Sequence, residues 1–272
     1  MIDTFIGLVI FLLIVAALLV LAVRCASGKK GLEDLRGWYY AHRGLHDAAK
    51  PENSMSAFRA ALEHGYGIEL DVHLLSDGNL AVIHDSLLKR TTGADGRIED
   101  LSTDDLVKYH LEGSSETIPT FRQVLEMYQG KAPMIVELKP EKGNHAALSK
   151  ATCDLLESYD GAYCLESFDP RAVLWLKKHR PQLIRGQLAY NYFTKKGMLP
   201  WILKLLLTFN LMNVATRPDF IAYRCDHLKV FTNFLCRKVL GLQGVTWTLK
   251  TKEDYDDAVK KGWIPIFEGF IP

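Results

Sequence analysis

Short apolar runs recur along the chain and are separated by segments with helical patterning. The runs are centred near eight positions: Tyr39, Ile68, Met134, Tyr163, Leu183, Phe220, Val245 and Ile266. Runs of this length are typical of buried strands, and eight buried strands that alternate with helices indicate a (β/α)8 barrel. A doubly wound open sheet is the rival architecture, but the chain carries no glycine-rich dinucleotide or P-loop fingerprint. The sequence therefore predicts an α/β fold with a closed (β/α)8 barrel.

An unbroken apolar segment precedes this pattern. The segment from Phe5 to Val23 has no charged or strongly polar side chain and is long enough to cross a bilayer as a helix. A cleaved signal peptide is the alternative, but the chain starts with Asp3 and no Lys or Arg, whereas a signal peptide has a basic leading region. We therefore predict one N-terminal transmembrane helix in 1–27, a polar linker in 28–37 and a barrel domain in 38–272.

The charges beside the apolar segment predict its orientation. Basic side chains follow it at Arg24, Lys29, Lys30 and Arg36. Because basic flanks remain in the cytoplasm, we expect a single-pass membrane protein with its N-terminus outside and its barrel in the cytoplasm. The five cysteines, an odd number without a CxxC pair, agree with a reducing compartment.

The overall charge excludes one class of partner. The chain has 33 Lys and Arg against 32 Asp and Glu, a formal net charge of +1. Proteins that bind nucleic acid carry a basic excess, so we expect no nucleic-acid partner. The composition does not indicate an oligomeric state.

Acidic side chains lie late on two of the predicted strands. Glu69 and Asp71 are two residues apart, so both project to the same face of one strand, where their charges repel unless a cation lies between them. Glu137, on a later strand, would complete an oxygen-rich site suited to Mg²⁺ or Ca²⁺. The alternative is that these groups are surface charges or pair with Arg43 and Lys139. We predict one divalent cation at this site.

Two of the nine histidines have charged neighbours at the end of a predicted strand. His42 precedes Arg43, and His84 precedes Asp85. Imidazoles titrate near neutral pH, so both are candidates for proton transfer with a substrate. Gly44 would allow the backbone to approach a bound phosphate closely, and the planar guanidinium of Arg43 suits its oxygens.

Several short motifs follow one another in a fixed order. They are HRG at 42–44, PENS at 51–54, ELDV at 69–72, SDG at 76–78, HD at 84–85, RTTG at 90–93, VELK at 136–139, SFD at 167–169 and VTWT at 245–248. In order and number, these motifs resemble those of the glycerophosphodiester phosphodiesterase family. The resemblance extends from Tyr39 to the end of the chain and leaves out only the apolar segment and the linker.

The resemblance implies a TIM barrel with a small insertion after the second strand, which we place at about 77–102. It implies that two histidines act as general acid and base and that three carboxylates bind the divalent metal. The residues of this sequence at those positions are His42 and His84, and Glu69, Asp71 and Glu137.

Other positions of the resemblance imply contacts with substrate. Arg43 and Lys139 match residues that contact phosphate, and Trp247 would pack against the glycerol or the leaving group. Glu52 and Asn53 match an element beside the site that orients it. The assignment of acid and base between the two histidines stays open.

The implied reaction is metal-dependent hydrolysis of a glycerophosphodiester to an alcohol and glycerol 3-phosphate, with cationic groups neutralising the developing charge. One alternative is a lysophospholipase D, which performs the same chemistry on lysophospholipids at the membrane. A non-enzymatic alternative is a catalytically silent, membrane-bound scaffold. A phosphoinositide-specific phospholipase is a further rival, which the Glu69-x-Asp71 and Glu137-x-Lys139 spacings disfavour.

Two features leave alternatives open. The apolar segment at 195–214 is predicted to be a barrel helix, because Pro200, Lys204 and Asn210 suit an amphipathic helix, but it is also typical of a helix in the membrane interface. Glu268, near the end of the chain, is either a pocket residue or a structural charge at the barrel end.

Overall fold

Nine strands are present in the described part of the computed structural model, which comprises residues 2–26, 29, 31–195, 197 and 199–272. The strands are β1 (Tyr40–His42), β2 (Gly67–Leu74), β3 (Leu80–Val82), β4 (Met134–Leu138), β5 (Tyr163–Ser167), β6 (Arg185–Ala189), β7 (Phe220–Arg224), β8 (Gln243–Leu249) and β9 (Trp263–Phe267). Residues 1, 27, 28, 30, 196 and 198 lie outside the described part, and with them Lys30 and portions of the predicted anchor and linker.

Eight of these strands close a parallel barrel. Neighbouring strands pair in parallel from β1 and β2 through β4 to β9, and β9 pairs back with β1. The remaining strand, β3, pairs antiparallel with the end of β2. Each predicted apolar run lies within or beside one barrel strand, so the predicted TIM barrel with an insertion after its second strand is confirmed.

Ten α-helices accompany the strands in the described residues. They are α1 (Ile2–Val23), α2 (Met55–Glu63), α3 (Lys89–Thr92), α4 (Phe121–Tyr128), α5 (His145–Leu156), α6 (Pro170–His179), α7 (Trp201–Thr208), α8 (Asn213–Thr216), α9 (Phe231–Phe234) and α10 (Lys252–Lys260). A π-helical turn, Leu235–Val239, continues α9. A 3₁₀ helix, Thr103–Lys108, lies in the connection between β3 and α4.

Side-chain caps explain where the barrel helices begin. The side chains of Ser54, Thr120, Asp169 and Thr251 each accept a hydrogen bond from a backbone N–H in the first turn of α2, α4, α6 and α10. Such caps satisfy donors that have no partner within the helix. These capping residues therefore set the start of four of the barrel helices.

Side-chain alternation directs the acidic residues into the barrel. Leu70 and Val136 are fully buried between the sheet and the surrounding helices. Because successive residues of a strand point to opposite faces, Glu69, Asp71 and Glu137 point to the interior. The register places Asp71 beside Glu137.

The amino end of the barrel is closed by apolar packing. A 3₁₀ turn, Glu33–Leu35, crosses this end, and Leu35 is buried among the inward-facing side chains. The Tyr40 hydroxyl donates a hydrogen bond to the Leu35 carbonyl at 2.9 Å. Polar chemistry inside the barrel is therefore confined to its carboxyl end.

The connection between β2 and α4 forms a small unit with its own core. The segment 77–102, which the sequence assigns to an insertion, lies within a longer excursion at 75–119. Leu106, Leu111 and Ile118 extend the excursion because they pack into the same apolar cluster as Leu75 and Leu88. This unit carries β3 and delivers His84 to the mouth of the barrel.

The N-terminal helix joins the barrel only through its last turns. Residues 4–18 are exposed, and α1 is long and apolar enough to cross a membrane. Val23 is fully buried beside Ile221 and Cys236. Arg217 donates hydrogen bonds to the carbonyls of Leu21 at 2.9 Å and Arg24 at 2.6 Å. The end of α1 is therefore fixed to the outside of the barrel.

Candidate active site

Three carboxylates meet at the carboxyl mouth of the barrel. Ligand oxygens of Glu69, Asp71 and Glu137 lie within 4.8 Å of one another, and all three residues are buried. Lys139 Nζ lies 3.1 Å from Asp71 Oδ1 and 2.9 Å from Glu137 Oε1. Arg43 Nε lies 3.5 Å from Asp71 Oδ2. Convergence of the carboxylates and pairing with Lys139 and Arg43, which the sequence left as alternatives, are thus both present.

Burial and the charges within this cluster shift the pKa values of its three carboxyl groups. Burial, Asp71 and Glu137 hold the pKa of Glu69 well above its usual range. Burial also raises the pKa of Glu137, to about 7, against the pull of Lys139. Burial alone would raise the pKa of Asp71, but Lys139, His84 and Arg43 outweigh it and hold that pKa well below its usual range. Converging oxygen donors that repel one another fit a hard divalent cation.

His42 is held by the acidic residue that directly follows the last strand. His42 Nδ1 lies 2.6 Å from Glu268 Oε2, and His42 Nε2 lies 3.9 Å from Glu69 Oε2. The hydrogen bond with His42 lowers the pKa of Glu268 to about 2. Burial lowers the pKa of His42, although Glu268 opposes that shift. Of the two alternatives for Glu268, the structure therefore shows a residue of the site.

His84 is held in the same way by its neighbour in sequence. His84 Nδ1 lies 2.5 Å from Asp85 Oδ1, and Arg90 pairs with the other oxygen of Asp85. Burial lowers the pKa of His84 to about 4, with Lys139 and Arg43 acting in the same direction against Asp71. In each histidine, Nδ1 thus contacts a carboxylate, and Nε2 is left for a different contact.

A network behind the cluster fixes Arg43. Glu52 Oε1 accepts hydrogen bonds from Arg43 Nη1 at 3.0 Å and Arg90 Nη2 at 2.7 Å. Asn53 Nδ2 donates to Asp71 Oδ2 at 2.9 Å, and its backbone N–H donates to the Arg43 carbonyl at 2.9 Å. Glu52 and Asn53 therefore lie behind the cluster and orient its charged groups.

Backbone strain accompanies this network. Arg43 and Asn53 have φ angles of 55° and 54°, in the left-handed region that non-glycine residues adopt uncommonly. Gly44, with φ of 82°, packs so closely on α2 that a Cβ would lie 2.9 Å from the Ala57 carbonyl carbon. The close approach of Gly44 to a phosphate stays a prediction, and in the structure Gly44 also brings the turn after β1 against α2.

Trp247 forms the opposite wall of the cleft. Its ring meets Phe168 edge to face, with centroids 5.5 Å apart, and its indole Nε1 is buried without a hydrogen-bond partner among the described residues. A cavity of about 40 Å³ lies between Trp247 and the residues His42, His84, Glu69 and Glu137. A larger cavity of about 740 Å³ adjoins it on the side of the insertion.

Four further residues belong to the site by position: Glu166, Glu268, Asp85 and Arg90. Glu166 pairs in register with Glu137, is 1% exposed, and its Oε2 has no partner among the described residues. Burial, Glu137 and Asp71 hold its pKa well above the usual range. The rule that identified Glu137, an acid late on a strand, would also have found Glu166.

Comparison with known proteins places the whole site in one family. The model of the glycerophosphoryl diester phosphodiesterase family matches residues 42–268, the span from the first site histidine to the carboxylate that holds it. The chain belongs to this family. It is 28% identical over 235 residues to the glycerophosphodiester phosphodiesterase of Caldanaerobacter subterraneus, with 82% of this chain and 89% of that protein covered.

Two other similarities extend the family match. Glycerophosphodiester phosphodiesterase 1 of Mus musculus is 28% identical over 250 residues, which cover 79% of this chain and 72% of that protein. A phosphodiesterase of Oleispira antarctica, solved with the product sn-glycerol-3-phosphate, shares the fold with a TM-score of 0.72 at 22% identity, over 89% of this chain and 95% of the other. Like its family, the chain is a phosphoric diester hydrolase that acts on glycerophosphodiesters.

Proposed function

We propose that this phosphodiesterase uses one divalent cation, Mg²⁺ or Ca²⁺, to hydrolyse glycerophosphodiesters to an alcohol and glycerol 3-phosphate. The observation that carries the proposal is the convergence of three buried carboxylates, with oxygens within 4.8 Å, in a cleft that two carboxylate-held histidines also line. A phosphodiester is anionic, so its hydrolysis requires cationic groups and proton transfer at the same place.

The acidic cluster would hold the cation. Glu69, Asp71 and Glu137 are the proposed ligands, and a bound cation would polarise the phosphoryl oxygens and neutralise charge that develops on them. Lys139 and Arg43 lie within 3.5 Å of Asp71. They are the proposed contacts for the remaining phosphate oxygens, for which the planar guanidinium of Arg43 is suited.

The two histidines would divide the proton transfers. His42 and His84 each use Nδ1 for a carboxylate and line the cleft together. One of them would accept a proton from the nucleophile, and the other would donate a proton to the departing alcohol. Glu268 and Asp85 would orient the rings and stabilise the protonated form of each.

Trp247 is the proposed wall for the glycerol group. The bound product of the Oleispira antarctica phosphodiesterase supports sn-glycerol-3-phosphate as the product here. The apolar ring of Trp247 would contact glycerol carbons, and its unpartnered indole N–H would donate to an oxygen of the ligand. Glu52 and Asn53 would act through Arg43 and Asp71.

We also propose that α1, within 1–27, anchors the barrel in a membrane, with the N-terminus outside and the barrel in the cytoplasm. The exposure of its apolar side chains from 4 to 18 and the fixed end at Val23 support a retained helix. Protease added to intact cells should leave the barrel uncut, and the purified chain should retain α1. A mature chain that starts after Val23 would contradict the anchor.

Release of glycerol 3-phosphate tests the proposed chemistry. The full chain, purified in detergent, is given glycerophosphocholine, glycerophosphoethanolamine or glycerophosphoglycerol with Mg²⁺, Ca²⁺ or a chelator. We expect metal-dependent release that His42→Ala and Glu69→Ala abolish and that His110→Ala, at an exposed histidine of the excursion at 75–119, leaves unchanged. Release that persists in chelator would contradict the metal, and release from lysophospholipids alone would show a lysophospholipase D.

A further inference from the structure

Exposed apolar side chains are concentrated on one sector of the barrel. Outside α1, thirteen large apolar side chains of the described residues are exposed, and eight of them lie between 193 and 239. Scattered exposed apolar residues are ordinary, whereas a concentrated set marks a binding surface. We define the basic apolar face by the exposed residues Trp201, Ile202, Val214, Phe231, Phe234 and Val239.

The two connections that carry this face are joined beneath it. Asn210, after α7, donates a buried hydrogen bond at 3.0 Å to Asn233 in α9. The Tyr223 hydroxyl of β7 donates to the Thr208 carbonyl at the end of α7, at 2.9 Å. These bonds hold the β6–β7 and β7–β8 connections, which carry the exposed residues of the face, side by side.

The end of α1 is seated in this face. α1 contacts α8 and the π-helical turn, which carry Val214 and Val239. Asn213 Nδ2 donates to the Val23 carbonyl at 3.2 Å. Because the remainder of α1 projects away from the barrel with its apolar side chains exposed, a bilayer crossed by α1 would begin beside the face.

The charge of the same segment suits anionic lipid headgroups. Residues 190–240 include eight Lys and Arg but two Asp and no Glu, although the whole chain has 33 basic against 32 acidic residues. Both aspartates are already paired, Asp219 with Lys29 and Asp226 with Arg224. Lysines beside exposed aromatic and aliphatic side chains are typical of surfaces that bind the membrane interface.

A row of aromatic rings connects the cleft to this face. The ring centroids of Trp247 and Phe168 are 5.5 Å apart, those of Phe168 and Tyr190 are 5.9 Å apart, and those of Tyr190 and Tyr192 are 4.0 Å apart. The next residue along the chain, Phe193, is 50% exposed. The 3₁₀ turn Tyr192–Thr194, which carries Phe193, contacts α7, which carries Trp201 and Ile202 of the face. The row of rings therefore leads from the cleft to the edge of the face.

We propose that the basic apolar face lies on the bilayer surface, with its apolar side chains at the level of the lipid headgroups and its lysines on anionic headgroups. The inference rests on the proposed anchoring by α1. It adds a second, non-covalent attachment that fixes the orientation of the barrel and brings the mouth to the edge of the lipid surface.

Quenching of Trp201 by brominated lipids tests this attachment. The full chain is reconstituted in vesicles of phosphatidylcholine and phosphatidylglycerol with brominated acyl chains, and emission is compared between the wild type and Trp201→Phe. We expect a quenched component that Trp201→Phe removes. Val107→Trp in that background should not restore the quenched component. Val107 is as exposed as Trp201, at 68%, but it lies in the excursion at 75–119 and outside the face.

A reporter in α1 separates this inference from the proposed anchor. Phe11→Trp in the Trp201→Phe background should restore quenching if α1 crosses the bilayer. Quenching of Phe11→Trp without quenching of Trp201 would overturn the docked face and keep the anchor; a second copy covering the face would give this result. Absence of both would overturn anchor and face together.

Charge reversal supplies a second measurement of the same attachment. Lys229→Glu with Lys238→Glu changes two exposed lysines of the segment outside the cleft. We expect loss of Trp201 quenching in vesicles that contain phosphatidylglycerol, while Phe11→Trp stays quenched. Unchanged Trp201 quenching in this double variant would contradict the contribution of anionic headgroups.

Discussion

The barrel wall formed by β2, β4 and β5, which we call the acidic wall, differs from the wall formed by β6 and β7 in the side chains that it directs inward and outward. The first directs four carboxylates into the interior: Glu69, Asp71, Glu137 and Glu166. The second packs the apolar Leu188 and Ala222 inside and carries the basic apolar face outside. The buried carboxylates of the interior therefore lie on the first of these walls, whereas the second wall is apolar inside and presents its outer surface for a separate contact.

Removal of one carboxylate of the acidic wall should have the largest effect on activity. We expect Glu69→Gln to lower kcat/KM by about 10³-fold or more, because cation stabilisation of the transition state is worth several kcal/mol. In chelator its thermal midpoint should equal or exceed that of the wild type, since the amide removes one of the repelling buried carboxylates.

Glycerol 3-phosphate release and calorimetric unfolding check the two expectations for Glu69→Gln. The control is Glu126→Gln, an exposed acid on α4, which should change neither quantity. Full activity of Glu69→Gln would show that the acidic wall does not carry the chemistry.

Packing behind the acidic wall should be the next most sensitive feature. Leu70 is fully buried between β2 and the helices, next in sequence to two proposed ligands. We expect Leu70→Ala to lower the free energy of unfolding by about 2–5 kcal/mol, because it leaves a cavity in the core. Denaturant unfolding measures the change, with Leu203→Ala on the exposed turn of α7 as the control. Equal losses for both variants would contradict the contrast between the walls.

Loss of the hydrogen bond between Glu268 and His42, the histidine clamp, should lower activity less than loss of a proposed cation ligand. Glu268→Gln keeps the shape but removes the charge that holds His42 Nδ1 at 2.6 Å. A hydrogen bond to a charged group contributes about 1.5–3 kcal/mol, so kcat should fall about 10–100-fold. KM for glycerophosphocholine should change little, because Glu268 orients His42 and is not a proposed phosphate contact.

A matched control for the clamp is Lys250→Ala. Lys250 is 71% exposed and lies 3.5 Å from the other oxygen of Glu268. An exposed ion pair of this kind contributes little, so the variant should retain near wild-type kcat. A larger loss for Lys250→Ala than for Glu268→Gln would contradict the assignment of Glu268 to His42.

Changes on the basic apolar face should have the smallest effect on the fold and on soluble substrates. Phe231→Ser with Phe234→Ser should change the free energy of unfolding by no more than about 0.5 kcal/mol per site, because both side chains are exposed. Release of glycerol 3-phosphate from glycerophosphocholine in detergent should stay at the wild-type level. A large loss of either would show that the face serves the barrel and not a bilayer.

Much of the acidic wall could be predicted from the sequence because its signal is local. Alternation within a strand places Glu69 and Asp71 on one face, and strand ends gather at one mouth in any parallel barrel. Ser54 and Thr120 likewise predict where the following helices begin, because a helix cap acts over three residues. The eight strands and the carboxylate cluster follow from such short-range rules.

The partners that complete the site are not local. Glu268 reaches His42 across 226 residues of sequence, and that contact depends on closure between β9 and β1. The excursion after β2 is longer than 77–102 because Leu111 and Ile118 join its core through tertiary packing alone. Gly44 was interpreted from its flexibility, whereas its position is set by contact with Ala57 on another element.

Cation binding tests the central claim most directly. Mg²⁺ and Ca²⁺ are titrated calorimetrically into the full chain after treatment with a chelator, and release of glycerol 3-phosphate is followed over the same concentrations. We predict one cation per chain, loss of that binding in Asp71→Asn, and activity that rises in proportion to occupancy. Full activity with no cation bound, or binding unchanged in Asp71→Asn, would contradict the assignment of catalysis to the acidic wall.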